Sequence, residues 1–229
     1  MDNSAKVEIK IYSQLYAGTS HNIGLSNIAR LLSVVEDNKD IWLVYEVGKH
    51  ALGSLMFDVK GEFFKGERIY NVFHKDFFTA LSQDLTILKD FLRLMAEVLD
   101  SLQERKVVHA DLKPDNILIE ITGRRISSLK LIDFGSSFLF EEATSITATT
   151  PEYLAPEVLM YLESRGAANT VTNQTSLFKM QRPWSYDMWS LGAILLEILS
   201  GVPIWMSLKC RTMPQQSGKQ TITTGIFGV

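Results

Sequence analysis

Three residues within the stretch VVHADLKPDNILIE, residues 107–120, are placed to do chemistry together. Asp111, Lys113 and Asn116 fall within six positions of one another, between apolar, β-branched ends. A fourth residue, Asp133, follows the apolar run LKLI. If a short strand pair folds the chain back between them, two carboxylates and an amide oxygen reach one point. Oxygen ligands of that kind suit Mg²⁺, which is held by one or two carboxylates together with substrate phosphates. Any one of these residues taken alone could equally form a solvated turn.

The elements that must position them can be read from periodicity. Leu88, Phe91, Leu92, Met95, Val98, Leu99 and Leu102 recur at three and four residues, so an amphipathic helix over 85–102 delivers the chain to Val107. NILIEI and LKLIDF, joined through TGRRISS, read as an antiparallel pair that carries Asn116 toward Asp133. Upstream, two β-rich runs flank Asp37-Asn38-Lys39 and predict a hairpin whose second strand ends near Val47, with Gly48 opening a connecting segment. A further helix is expected over 187–199. Residues 161–182 are polar and without periodicity, as in an insertion, and residues 206–229 read as an irregular tail.

Composition narrows the class. The 229 residues, 46% hydrophobic, suffice for a sizeable core. The net charge of −3 arises from 23 basic and 26 acidic residues mixed along the chain, so no electrostatic grip on nucleic acid or anionic lipid is expected. A single cysteine, Cys210, excludes an internal disulfide framework, and MDNSAKVEIK has no secretory signature. An intracellular location, cytoplasmic or nuclear, is therefore expected, and the sequon at Asn173 carries little weight. The run SLGAILLEILSGVPIW is broken by Glu197 and falls short of the roughly 20 apolar residues of a membrane span. It reads as a buried helix.

HADLKPDN at 109–116, Asp133-Phe134-Gly135 and TPEYLAPEVL at 150–159, in that order, resemble the catalytic loop, metal-binding triplet and activation-segment end of the protein kinase family. YDMWSLGAILLEILSG, which contains Asp187, resembles the helix that follows the activation segment, and WLVYEV the strand leading to the hinge. The resemblance covers roughly residues 5–205. It implies an α+β, two-lobe fold with an incomplete small β lobe at about 1–47 and a mainly helical lobe at 48–205. The function implied is transfer of the ATP γ-phosphate, with Mg²⁺, to a hydroxyl of a protein substrate. Lys113-Pro114 and Thr150 resemble the serine/threonine branch.

By resemblance, Asp111 would take or orient the substrate proton and Lys113 would offset charge on the γ-phosphoryl. Asn116 and Asp133 would hold Mg²⁺. Glu46, Val47 and Gly48 would meet adenine through their peptide groups, Leu118 would pack on its ring, and Tyr45 would be a bulky gatekeeper. His109 would be a core residue packed with Phe134 rather than a base.

Three departures from the family pattern stand out. No G-x-G-x-x-G precedes the hairpin. VEIKIY at 7–12 could be the strand carrying the phosphate-binding lysine, Lys10, but no acidic residue follows from Ile11 to Val35 to pair with it. Alternatively EIKIYSQL is the regulatory helix with Glu8 as its paired glutamate, an alignment that fits better. Second, Glu157 would need an arginine from a later helix, and after Arg182 only Arg211 remains. A buried carboxylate left so would cost several kcal/mol as an order of magnitude. These gaps suggest a kinase domain trimmed at both ends, with transfer impaired in this form, and leave a pseudokinase or binding module as the competing reading. Third, Ala110 stands where many kinases carry an arginine that grips a loop phosphate, so phosphorylation of Thr144, Ser145 or Thr147 is not expected to be required.

Overall fold

The computed structural model describes residues 3–18, 22–65, 67–140, 150–159, 182, 184–209, 211–212 and 221–223. The polar stretch 161–181, Thr144, Ser145, Thr147, Asn173 and Cys210 lie outside the described residues.

The small lobe consists of helix α1 (Asn3–Leu15), a 3-10 turn at Ile23–Asn27, and an antiparallel hairpin of β1 (Leu31–Glu36) and β2 (Ile41–Tyr45). Helix α1 buries Ile11, Tyr12 and Leu15, which share one face at helical spacing. Lys10 is exposed on that helix, so the strand alternative for 7–12 is overturned: the apolar period is helical, not two. The hairpin turns as its sequence predicts, because Asp37 Oδ1 accepts from the amides of Lys39 and Asp40, both at 2.8 Å. Its second strand stops at Tyr45 rather than Val47, since Glu46 N–H already closes onto the Arg30 carbonyl at 3.0 Å.

The lobes join at the 3-10 turn. A Cβ on Gly24 would lie 1.9 Å from the Glu97 carbonyl oxygen, so the turn can approach helix α4 (Leu85–Glu104) closely only with glycine there. Asn22 locks the approach, accepting from Gly24 N–H at 2.9 Å and donating to Glu104 at 2.5 Å.

Helix α4 is the axis of the large lobe. Asp84 caps it by accepting from Thr86 N–H at 2.8 Å, and Ile87, Phe91, Leu94, Met95, Val98 and Leu102 form its buried stripe. Each such side chain contributes roughly 1.5–3 kcal/mol over its exposed state. Strands β7 (Ile117–Thr122) and β8 (Arg125–Leu131) pair antiparallel as expected, with β3 (His50–Ala51) on the outer edge of β7. Helix α5 (Ser185–Ser200) ends at Gly201, whose φ of 72° is left-handed. No helix among the described residues is long and apolar enough to cross a membrane.

The segment that Gly48 opens, expected only as a connection, carries several elements before Leu85. After a short helix α2 (Leu52–Met56), strands β4 (Phe57–Phe64) and β5 (Glu67–His74) form a second hairpin. Its base is anchored to the end of α5, where His74 Nε2 meets the Gly201 carbonyl at 2.7 Å and its ring stacks on Phe78 of helix α3 (Asp76–Gln83). Helix α6 (Ile204–Lys209) and short strands at Arg211–Thr212 and Thr221–Thr223 occupy part of the region read as an irregular tail, the latter pairing with β5.

Candidate active site

Strand β6 (Val107–Val108) pairs with β9 (Phe138–Leu139), which fastens the start of the 109–116 loop to the chain beyond Asp133. The loop then turns on a strained residue: Ala110 has φ of 65°. Asp187, in the first turn of α5, holds that conformation. Its two carboxylate oxygens accept from His109 N–H at 2.8 Å and Ala110 N–H at 3.0 Å. Burial pushes the Asp187 pKa up, against the opposing pull of His109 and the two amides. His109 is wholly buried and edge-on to Phe134 at 4.8 Å, the core role expected of it.

Asp111 lies at the centre of a compact polar cluster. Its Oδ1 accepts from Thr150 Oγ1 at 2.7 Å, and its Oδ2 from Lys113 Nζ at 2.6 Å and Asn116 Nδ2 at 3.2 Å. Lys113 Nζ also donates to Thr150 Oγ1 at 3.0 Å. A second bond from Asn116 Nδ2, to the Asp111 carbonyl at 2.9 Å, fixes the amide and leaves Oδ1 without a partner among the described residues. The adjoining backbone is tied by Ile132 N–H to the Asn116 carbonyl at 3.0 Å, which sets Asp133 beside the loop. Asp133 is exposed, with φ of 66°.

An exposed carboxylate next to an oriented amide oxygen suits a hard divalent ion. Among the described residues no three His, Cys, Asp or Glu side chains converge on a metal site by themselves. An ion at Asn116 and Asp133 would therefore draw its remaining ligands from water and a bound phosphate, as Mg²⁺ commonly does.

Phe134 is buried against Tyr12 and His109, and its N–H donates to Glu8 Oε1 at 3.2 Å. That bond carries helix α1 onto the Asp133 segment. Tyr12, which the sequence did not flag, also ties α1 to the chain just ahead of β1 by donating to the Ala29 carbonyl at 2.8 Å. Tyr45 tilts against Tyr12 at 5.6 Å, and burial, with Glu8 close by, pushes its pKa up.

At the connection between lobes, Val47 is almost fully exposed, and the Glu46 N–H is spent on the Arg30 carbonyl, which leaves the Glu46 carbonyl to meet a ligand. Gly48 lies directly against Leu118, whose Cδ1 occupies the place a Cβ would need. Leu118 is the second residue of β7, which begins directly after Asn116, so the strand that meets the connection starts at the polar cluster.

Glu157 is half-buried and has no hydrogen bond or ion pair among the described residues. Partial exposure to water makes its isolation less costly than the full burial expected. Two further residues were missed. Tyr153 donates to Glu197 Oε1 at 2.7 Å, and Ile204 N–H donates to the same oxygen at 2.6 Å. The 44-residue gap between the partners gave no signal beyond an acidic residue interrupting an apolar helix.

The protein kinase domain family matches residues 3–225. The chain belongs to the protein kinase family. Similar proteins include the dual specificity tyrosine-phosphorylation-regulated kinase mbk-2 of Caenorhabditis elegans, 34% identical over 59% of this chain and 14% of its own length. Dual specificity tyrosine-phosphorylation-regulated kinase 3 of Homo sapiens is 34% identical over 60% of this chain and 20% of its own. Kinase 2 of the same designation from Drosophila melanogaster is 27% identical over 89% and 22%. The kinase chain thus spans less than a quarter of the length of these curated relatives. Its two-lobe α+β fold is that of the family.

Proposed function

We propose that this kinase domain transfers the γ-phosphoryl group of ATP to a serine or threonine hydroxyl of a protein. The observation that carries the reading is the Asp111–Lys113–Thr150 cluster, a carboxylate and an ammonium held within 2.6 Å by the loop that also orients Asn116. The substrate hydroxyl oxygen forms a bond to the γ-phosphorus as the bond to the β–γ bridging oxygen breaks. ADP leaves with that electron pair, and the hydroxyl proton passes to Asp111. Lys113 offsets negative charge on the transferring group, which is mostly a positioning and charge-neutralising task. Mg²⁺, held by Asn116 and Asp133, would neutralise phosphate charge. The Glu46 carbonyl, Val47, Gly48 and Leu118 would receive adenine beside Tyr45. Residues 1–47 and 48–205 act as the two lobes in this reading, and the cytoplasm or nucleus is the setting the lone cysteine favours.

The relatives' designation as dual specificity makes tyrosine the second acceptor to assay. A binding module without transfer is favoured by one observation: Glu8 bonds the Phe134 amide, and no lysine pairs with it among the described residues. Transfer of labelled γ-phosphate from Mg-ATP to a generic basic protein, followed by phosphoamino-acid analysis, separates these readings. Phosphoserine and phosphothreonine that vanish in Asp111→Asn are expected. No transfer by the wild-type chain, with ATP binding retained, would establish the module instead.

A further inference from the structure

We propose that two copies of this chain pair through the free edges of their β4 strands, joining two four-stranded sheets into one. The sheet runs in the order Arg211–Thr212, Thr221–Thr223, β5, β4, so β4 lies at an edge. Lys75 N–H donates to the Met56 carbonyl at 3.1 Å, and the register runs from Phe57 opposite His74 to Phe64 opposite Glu67. Bonded pairs of an antiparallel ladder alternate with unbonded ones, so the peptide groups of Asp58, Lys60 and Glu62 turn toward β5. Those of Val59 and Gly61 turn outward, and they take no bond among the described residues. From Lys60 to Phe64 every residue is exposed. Such an edge is a template for another strand.

The sequence of β4 is self-complementary about Gly61. Two-fold pairing with Gly61 on the axis sets Lys60 across from Glu62 of the second copy, and Glu62 across from its Lys60. Both side chains are exposed and have no ion-pair partner among the described residues; Lys60 lies over the Phe73 ring, 5.5 Å from its centre. On the other face, Val59 lies across from Phe63, which is 79% exposed and gains cover. At the axis, the Gly61 N–H and carbonyl exchange bonds with their counterparts. Moving the axis by one residue sets Lys60 on Lys60 or Glu62 on Glu62, and like charges directly opposite repel. Moving it by two runs the second strand into helix α2 or past the end of β4. The Gly61 register satisfies charge, apolar surface and strand length together.

One strand of 8 residues per copy makes a small interface, so reversible association with a dissociation constant on the order of micromolar is expected. Sedimentation equilibrium of the whole chain measures it without any reliance on phosphoryl transfer. Lys60→Glu and Glu62→Lys should each weaken the dimer at least about tenfold, since each sets like charges across from one another on both sides of the axis. An equimolar mixture of the two variants should regain association close to wild type, because every charge then faces its opposite. Both side chains are exposed, so each variant should melt with wild type at concentrations where all are monomeric. Gly61→Pro removes the outward donor at the axis, leaves the bonds to β5 in place, and should abolish association. A wild-type chain that stays monomeric up to on the order of 100 µM would overturn the proposal. Association indifferent to the charge reversals, or a mixture no tighter than its components, would overturn it as well.

Discussion

The loop at residues 107–116 and the hairpin at residues 31–45 use their side chains in opposite ways. From Val107 to Leu112 every residue is buried, and the polar ones are bonded across long sequence distances to Thr150, Ser137 and Asp187. In the hairpin, Leu32, Val35 and Trp42 are 52%, 51% and 62% exposed, and the described sheet has two strands. An isolated two-stranded hairpin is marginal in water, whereas a satisfied buried network specifies one geometry. Preorganisation is therefore concentrated where Asp111 sits, and the hairpin that leads into the connection between lobes is the pliable one.

The largest effect that sharpens this contrast is at Asp111 itself. Asp111→Asn keeps an acceptor for Thr150 but cannot take a proton, so transfer should fall at least about a hundredfold. The urea midpoint should stay close to wild type. An unchanged rate would remove Asp111 from the chemistry and leave the loop a structural network.

Next comes Asp187→Ala, which strips two buried amides of their acceptor and should cost roughly 2–5 kcal/mol of unfolding free energy in urea. Trp42→Thr, on the exposed hairpin face, should change stability by no more than about 0.5 kcal/mol. Equal costs at the two positions would break the comparison.

A third test uses pH. Burial raises the Glu197 pKa, against the bonds from Tyr153 and Ile204, so the folded state binds this proton more tightly than the unfolded chain. The stability tied to that proton is fully present below the ordinary glutamate pKa and is lost as pH rises through the folded value. Glu197→Gln keeps the shape without the ionisation. Wild type should therefore lose stability relative to Glu197→Gln as pH rises across that window, read from urea midpoints. A difference that is flat with pH would mean Glu197 ionises as freely folded as unfolded.

Local pattern explains what could be read in advance. The 85–102 helix, the β7–β8 pair, the Asp37 turn and the order of Asp111, Asn116 and Asp133 are all written in neighbouring residues or short spacings. The β4–β5 hairpin is written there too, in the alternation Phe57, Val59, Gly61 and Phe63. Both its faces carry exposed residues, with Phe63 79% and Phe64 59% exposed, so no buried stripe marks it. The bonds of Asp187 to His109 and of Tyr153 to Glu197 span 78 and 44 residues, and no local period encodes them.

The smallest expected effect bears on the hairpin's independence. Asp37 Oδ1 is the acceptor for both turn amides, and those bonds hold its carboxyl below the usual carboxylate range. Asp37→Ala should therefore speed amide exchange along 31–45 while leaving Val107, Val108 and Asn116 as protected as in wild type. Acidification should do the same to wild type, because a depressed pKa confers stability that is lost as pH falls through the folded value. If the loop amides exchanged faster in step with the hairpin, the two regions would open as one cooperative unit. The rigid loop would then owe its order to the hairpin and not to Asp187 alone.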